Sequence, residues 1–201
     1  MRFDPESLIV NTLLFILRVR RMFTLRKPSM KIVTTQKIIS QKLEQALTTA
    51  AYSEIDLNEE TDLKCAAVLV PLVWEDEEWH LLYTRRTDTV ESHKGQVSFP
   101  GGACDDGETT PEQTALREAD EEIGLKTNDI TILGRLPDMI TVSYFQVTPV
   151  VGVVKWPTVF QVGEAEVARV FTIPLGWLAN PSNRWQFERA DSTRGLIAYH
   201  P

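Results

Sequence analysis

Hydrophobic spacing changes several times along the chain, and each change marks an element. From Cys65 to Val73 the residues are apolar almost without interruption and rich in valine, the pattern of a buried strand. Glu75-Asp76-Glu77-Glu78 breaks the run as a polar turn, and Trp79 to Arg85 resumes it, so the two segments predict a hairpin. Gln96 to Phe99 predicts a short strand ending at Pro100-Gly101-Gly102. Between Thr110 and Gly124 the spacing turns helical, with Ala115, Leu116, Ala119 and Ile123 forming the apolar face. Pro111 falls in the first turn, where a missing N–H does no harm, and Gly124 falls at the end. Ile130 to Leu133, Gln146 to Lys155 and Ala168 to Ile173 read as further strands. Strands and helices in mixed order imply an α/β sandwich with a mixed sheet.

Upstream the pattern differs. Leu8 to Leu17 is mostly apolar and is followed by Arg18, Arg20 and Arg21. The run is too short to span a bilayer. Its positive charges follow the apolar stretch, the reverse of a cleavable secretory signal. An organelle-targeting helix, a surface-lying amphipathic helix and a product of an early start codon, with Met22 and Met30 as alternative starts, all fit. The favoured reading is an extension, residues 1–34, without a part in the chemistry. Thr35 to Ala51 spaces Ile38, Ile39, Leu43, Leu47 and Ala51 as an amphipathic helix, and Ser53 to Asp62 reads as a linker. Residues 35–201 form the expected domain, since 201 residues suit one domain with a tail.

Composition narrows the function classes. A net charge of -7 argues against a general nucleic-acid binder, which needs a basic face to displace counterions. It leaves room for a small anionic substrate if metal ions neutralise both partners. Cys65 and Cys104 lie far apart in sequence, with no Cys-x-x-Cys pair, and read as reduced thiols of an intracellular protein. The expected location is the cytoplasm, with organelle targeting by the extension as the alternative. With only three histidines and none at ligand spacing, a zinc site is not expected.

Chemistry concentrates in Gly101 to Leu125, GGACDDGETTPEQTALREADEEIGL. Glu118, Glu121 and Glu122 stand at i, i+3 and i+4, on one helix face. Like charges at that spacing destabilise a helix unless solvent or a cation relieves them. A solvated acidic surface is the bland reading. The functional one is a divalent metal site, because magnesium-like ions favour carboxylate oxygens and bridge to phosphates. Neighbouring residues favour the second. Gly101 and Gly102 let backbone approach an ion or phosphate and offer a carbonyl as ligand. Asp105, Asp106 and Glu108 add loop carboxylates, and Arg117 is placed to clamp one such as Glu108.

This string resembles the Nudix box: a glycine, a spaced glutamate, then Arg-Glu-x-x-Glu-Glu-x-Gly and an aliphatic residue. The positions fall on Gly102, Glu108, Arg117, Glu118, Glu121, Glu122, Gly124 and Leu125. The stretch Thr109 to Leu116 between Glu108 and Arg117 is one residue longer than usual, which leaves the role of Glu108 open. Upstream, LLYTRRTDTVESHKGQVSFPGG is similar to the signature of the coenzyme A pyrophosphatase branch, through Arg85, Arg86, His93, Gly95, Val97, Phe99 and Pro100. That branch also tolerates the longer loop. Thr141 to Val151 resembles it too, with Tyr144 where a glycine is usual, so a different local turn is expected.

The resemblance implies a Nudix-type α/β/α sandwich with a mixed β-sheet, covering about Lys64 to Leu175. It implies metal-dependent hydrolysis of a nucleotide pyrophosphate with Mg2+ or Mn2+. For coenzyme A the products are adenosine 3',5'-bisphosphate and 4'-phosphopantetheine. Glu118 and Glu122 come first as metal ligands, then Glu121, with Gly102 beside them. Glu121, Glu118 and Arg117 are the catalytic set, and the general base is a helix glutamate, Glu164 or Glu166. Arg85, Arg86, His93, Gly101 and Gly102 are the substrate contacts. Arg85, Arg86 and Lys94 read equally as solvated surface, and His93 as a capping or packing histidine. Rival readings are a Nudix enzyme for ADP-ribose or another nucleoside diphosphate derivative, and a Nudix-like module that senses a nucleotide without cleaving it. The expected partner is a small nucleotide; no nucleic acid or membrane span is expected, and a homodimer is compatible. Relatives in the branch continue with another strand and a terminal helix beyond Arg194 to Pro201, so the domain reads as shortened at its C-terminus.

Overall fold

A twelve-residue valine-rich strand, β1 (Lys64–Glu75), anchors the sheet because its apolar residues face both ways. The computed structural model describes residues 37–38, 41, 62–88, 95–141, 143–163, 165–188 and 195–199. The expected N-terminal extension, His93, Lys94 and Glu164 lie outside the described residues. So does the expected helix over Thr35 to Ala51, except for residues 37, 38 and 41, which are helical. The expected linker also lies outside them, save for Asp62.

The first turn forms as the polar tetrad suggests. Asp76 and Glu77 both take positive φ, 47° and 64°, the type I′ geometry that matches strand twist. It joins β1 to β2 (Glu78–Arg86), with Glu75 opposite Glu78 and Leu72 opposite Leu81. The two strands then part company. Over Ala66 to Val68, β1 pairs instead with β4 (Gly101–Ala103), while β3 (Val97–Ser98) pairs with β2. The Pro-Gly-Gly stop expected from sequence is therefore a strand in its own right. It fills the place vacated by β2 and sets Gly101 and Gly102 beside the middle of the sheet.

Six further strands follow: β5 (Ile130–Arg135), β6 (Met139–Ile140), β7 (Phe145–Val154), β8 (Val167–Pro174) and, paired in a separate hairpin, β9 (Arg184–Glu188) and β10 (Gly195–Tyr199). β7 runs parallel to β1 and the remaining pairings are antiparallel, so the sheet is mixed, as the sequence implied. Its main path is β3-β2-β1-β7-β5, with β8 on β2.

Helix α1 (Pro111–Ile123) packs on one face. Ala115, Ala119 and Ile123 are fully buried against Ala67, Leu69, Leu82 and Val150. Thr110 and Gln113 close a reciprocal capping box at its start, and Gly124 ends it in the left-handed conformation at φ 73°. A second helix, α2 (Leu175–Ala179), contributes Leu178 to the core on the opposite face, with Tyr83, Phe99 and Val151. The result is an α/β/α sandwich. Among the described residues no helix is long and apolar enough to cross a membrane.

One expectation is overturned. Cys65 and Cys104 are not separate thiols but a disulfide, with Cα atoms 5.4 Å apart. Sequence distance misled because β4 folds back antiparallel on β1. The Cys104 amide then donates to the Cys65 carbonyl at 3.1 Å, and the side chains meet.

Candidate metal and phosphate site

Arg117 organises the site. Its Nε donates to Glu108 Oε1 at 2.9 Å and lies 3.3 Å from Asp105. One terminal nitrogen reaches Glu118 at 2.8 Å and Glu121 at 3.0 Å, and the other donates to the Ala103 carbonyl at 2.9 Å. A planar fork with five donors can serve this many acceptors; an ammonium could not hold the same geometry. The clamp expected between loop and helix is thus present, despite the longer spacing.

Glu108 is held from three sides. Besides Arg117, its carboxylate accepts the Asp105 amide at 2.8 Å and the Thr114 hydroxyl at 2.7 Å. The Arg117 hydrogen bond chiefly, against a burial penalty, lowers its pKa from 4.5 to about 2. Thr114, wholly buried, was missed in the sequence reading. Its signal was position: one turn before Arg117 on the same helix face.

Glu118 and Glu122 lie deeper. Burial raises the Glu118 carboxyl above its usual range, although Arg117 opposes the shift. Glu122 is 9% exposed, and burial, reinforced by the Glu118 charge, raises its pKa to about 8. Its Oε2 is buried without a hydrogen-bond partner. Gly102 sits against Glu118: a Cβ there would come within 2.6 Å of the Glu118 carboxyl carbon. Among the described residues no three His, Cys, Asp or Glu side chains are arranged to hold a metal ion by themselves, and the exposed Glu121 is turned to Arg117. A buried and a partly buried carboxylate, an orphaned oxygen and a backbone with no side chain in the way nevertheless fit a hard cation. Such an ion takes a few protein oxygens and keeps waters and phosphate for the rest.

The two arginines separate. Arg86 turns toward α1, where its charge acts on Glu122, and lies 3.8 Å from Glu166. Its Nε is buried without a partner. Arg85 pairs with the exposed Asp88 at 3.2 Å. As adjacent residues of β2 they face opposite sides of the sheet by the ordinary pleat. Glu166 ends a turn anchored to the helix terminus by the Gly163 amide on the Glu122 carbonyl at 3.0 Å. Tyr144, where a different turn was expected, takes φ 63°, the left-handed conformation a glycine would adopt, and exposes its ring.

A NUDIX domain family profile matches residues 63–190. Proteins named "Uncharacterized Nudix hydrolase NudL" are similar in sequence. That of Pectobacterium atrosepticum is 47% identical over 110 residues, 55% of this chain and 57% of the relative. That of Escherichia fergusonii is 42% identical over 120 residues, 59% of this chain and 62% of the relative. The chain thus spans somewhat over half the length of these relatives. Among solved structures, the Nudix hydrolase RenU of M. smegmatis aligns with a TM-score of 0.48 at 23% identity, over 55% of this chain and 70% of that one. A C. elegans Ap4A hydrolase aligns with a TM-score of 0.48 at 21% identity, over 55% and 80%.

Two outcomes are expected from this geometry. Because the pKa of Glu108 is depressed on folding, the unfolded chain takes up its proton first on acidification. The stabilisation is complete above about 4.5 and is lost as pH falls from there toward about 2. Urea unfolding across that window should show a shallower pH dependence for Glu108→Gln than for the parent; equal slopes would contradict the clamp. Gly102→Ala should leave the circular dichroism spectrum intact and weaken Mn2+ binding roughly tenfold or more, since Glu118 must move aside. Undiminished binding would remove Gly102 and Glu118 from the metal site.

Proposed function

The chain belongs to the Nudix family, and on that premise we propose that it hydrolyses a nucleotide pyrophosphate with a divalent cation, Mg2+ or Mn2+, and that the substrate is coenzyme A or a derivative. The observation that carries the reading is the buried, partnerless Oε2 of Glu122 beside Glu118 and the Gly101-Gly102 backbone. Leaving such an oxygen unsatisfied is costly, and a bound ion is the partner its chemistry favours.

Glu118 and Glu122 hold the ion, with Gly102 beside them and Glu121 able to join from the exposed edge. When bound, the ion supplies charge neutralisation and Lewis acidity at the phosphoanhydride. The protein's own residues do the rest. Arg117 fixes Glu118 and Glu121 in place and restrains the loop through Glu108 and Asp105. Arg86 offers a guanidinium on the acidic face, suited to a phosphate oxygen. Glu166, exposed and next to Arg86, is placed to accept a proton from attacking water. The coenzyme A assignment is supported by the sequence signature from Leu81 to Gly102.

The test is incubation of the protein with coenzyme A and, separately, ADP-ribose, with Mg2+ or Mn2+ and chromatographic separation of products. Adenosine 3',5'-bisphosphate and 4'-phosphopantetheine are the expected products. Cleavage of ADP-ribose alone would keep the chemistry and discard the coenzyme A assignment. Glu122→Gln should fold normally and lose turnover by about a hundredfold or more. Near-normal turnover at saturating metal would contradict its role.

A further inference from the structure

The Cys65–Cys104 bridge stands at the root of the acidic loop. Cys65 lies near the start of β1 and is exposed; Cys104 directly follows β4 and is partly buried. On one side of Cys104 are Gly102, which abuts Glu118, and Ala103, whose carbonyl accepts Arg117. On the other side is Asp105, whose carboxylate faces Arg117 and whose amide donates to Glu108. The bridge therefore fastens to the sheet the residue from which both halves of the Arg117 network depart. The segment is otherwise held on β1 by three register pairs, Ala66 to Val68 with Gly101 to Ala103, and by two flanking backbone hydrogen bonds, from the Cys104 amide to the Cys65 carbonyl and from the Leu69 amide to the Pro100 carbonyl. A covalent link at the end of so short a pairing adds a constraint that the hydrogen bonds alone do not supply.

We propose that Cys65–Cys104 is a reversible thiol–disulfide modification site that sets how firmly the metal-binding loop is held, with a dithiol as its co-reactant. One thiolate of the dithiol attacks Sγ of the exposed Cys65. The bond between the two cysteines breaks, and Cys104 leaves as a thiolate that takes up a proton. The second thiol of the reagent then displaces Cys65. Two electrons pass to the protein, two protein thiols form and the dithiol becomes a disulfide. Reduction removes the covalent tie of Cys104 to β1, so the loop from Ala103 to Glu108 keeps only its hydrogen bonds and ion pairs. The coupling to metal rests on the site proposed for Glu118, Glu122 and Gly102; the constraint on the loop does not.

The experiment compares the full chain oxidised with glutathione disulfide and reduced with a phosphine that is then removed. Thiol titration should find no free thiol in the first sample and both in the second. Amide hydrogen exchange over Ala103 to Glu108 should be slower in the oxidised protein, and Mn2+ should bind about tenfold more tightly to it. Cys65→Ser/Cys104→Ser should match the reduced form in both readouts and ignore the oxidant. Thiols that stay free after oxidation would overturn the proposal. So would exchange and Mn2+ affinity that are equal in the two states. Failure of both samples to bind Mn2+ would instead overturn the metal reading and the coupling with it, and is distinguished by the absence of any binding isotherm.

Discussion

Everything in the acidic region depends on one guanidinium. Four carboxylates, from Asp105, Glu108, Glu118 and Glu121, converge on Arg117, together with the Ala103 carbonyl. Without a central cation these charges would repel one another along a single helix face and its neighbouring loop. With it, the loop is tied to the helix and the helix is tied to β4. The pairing holds even though Glu108 and Arg117 are nine positions apart, because Thr114 and the Asp105 amide complete the cradle around Glu108.

Burial works against charge at the deeper end. Glu122 is packed where its carboxylate is poorly solvated, and its raised pKa records the cost. A fold selected for stability alone would have little reason to keep an ionisable group there beside Glu118. A site that must offer anionic oxygens to a cation has one. The Arg117 network thus offsets the charge of the outer carboxylates and of Glu118, while Glu122 lies beyond its reach, disfavoured as an anion until a cation offsets its burial.

Much of this was legible in the sequence, for reasons tied to particular residues. Thr110, Pro111 and Gly124 set the limits of α1, since capping and left-handed backbone are local requirements. The apolar run before Glu75 gave β1, and the i, i+3, i+4 glutamates gave the acidic face. What escaped was non-local. Gly101 to Ala103 looks like a stop signal and becomes a strand because β1 lacks a partner there. The same pairing joins Cys65 to Cys104.

Replacing Arg117 by lysine tests the central claim most directly, since the charge stays and the fork goes. Mn2+ titration of Arg117→Lys, with thermal unfolding in parallel, is the measurement. The account expects metal affinity to fall about tenfold or more while the protein stays folded, because an ammonium cannot hold Glu108, Glu118 and the Ala103 carbonyl at once. Parent-like affinity in the lysine variant would show that charge alone suffices, and would contradict the claim that the geometry of this one side chain builds the site.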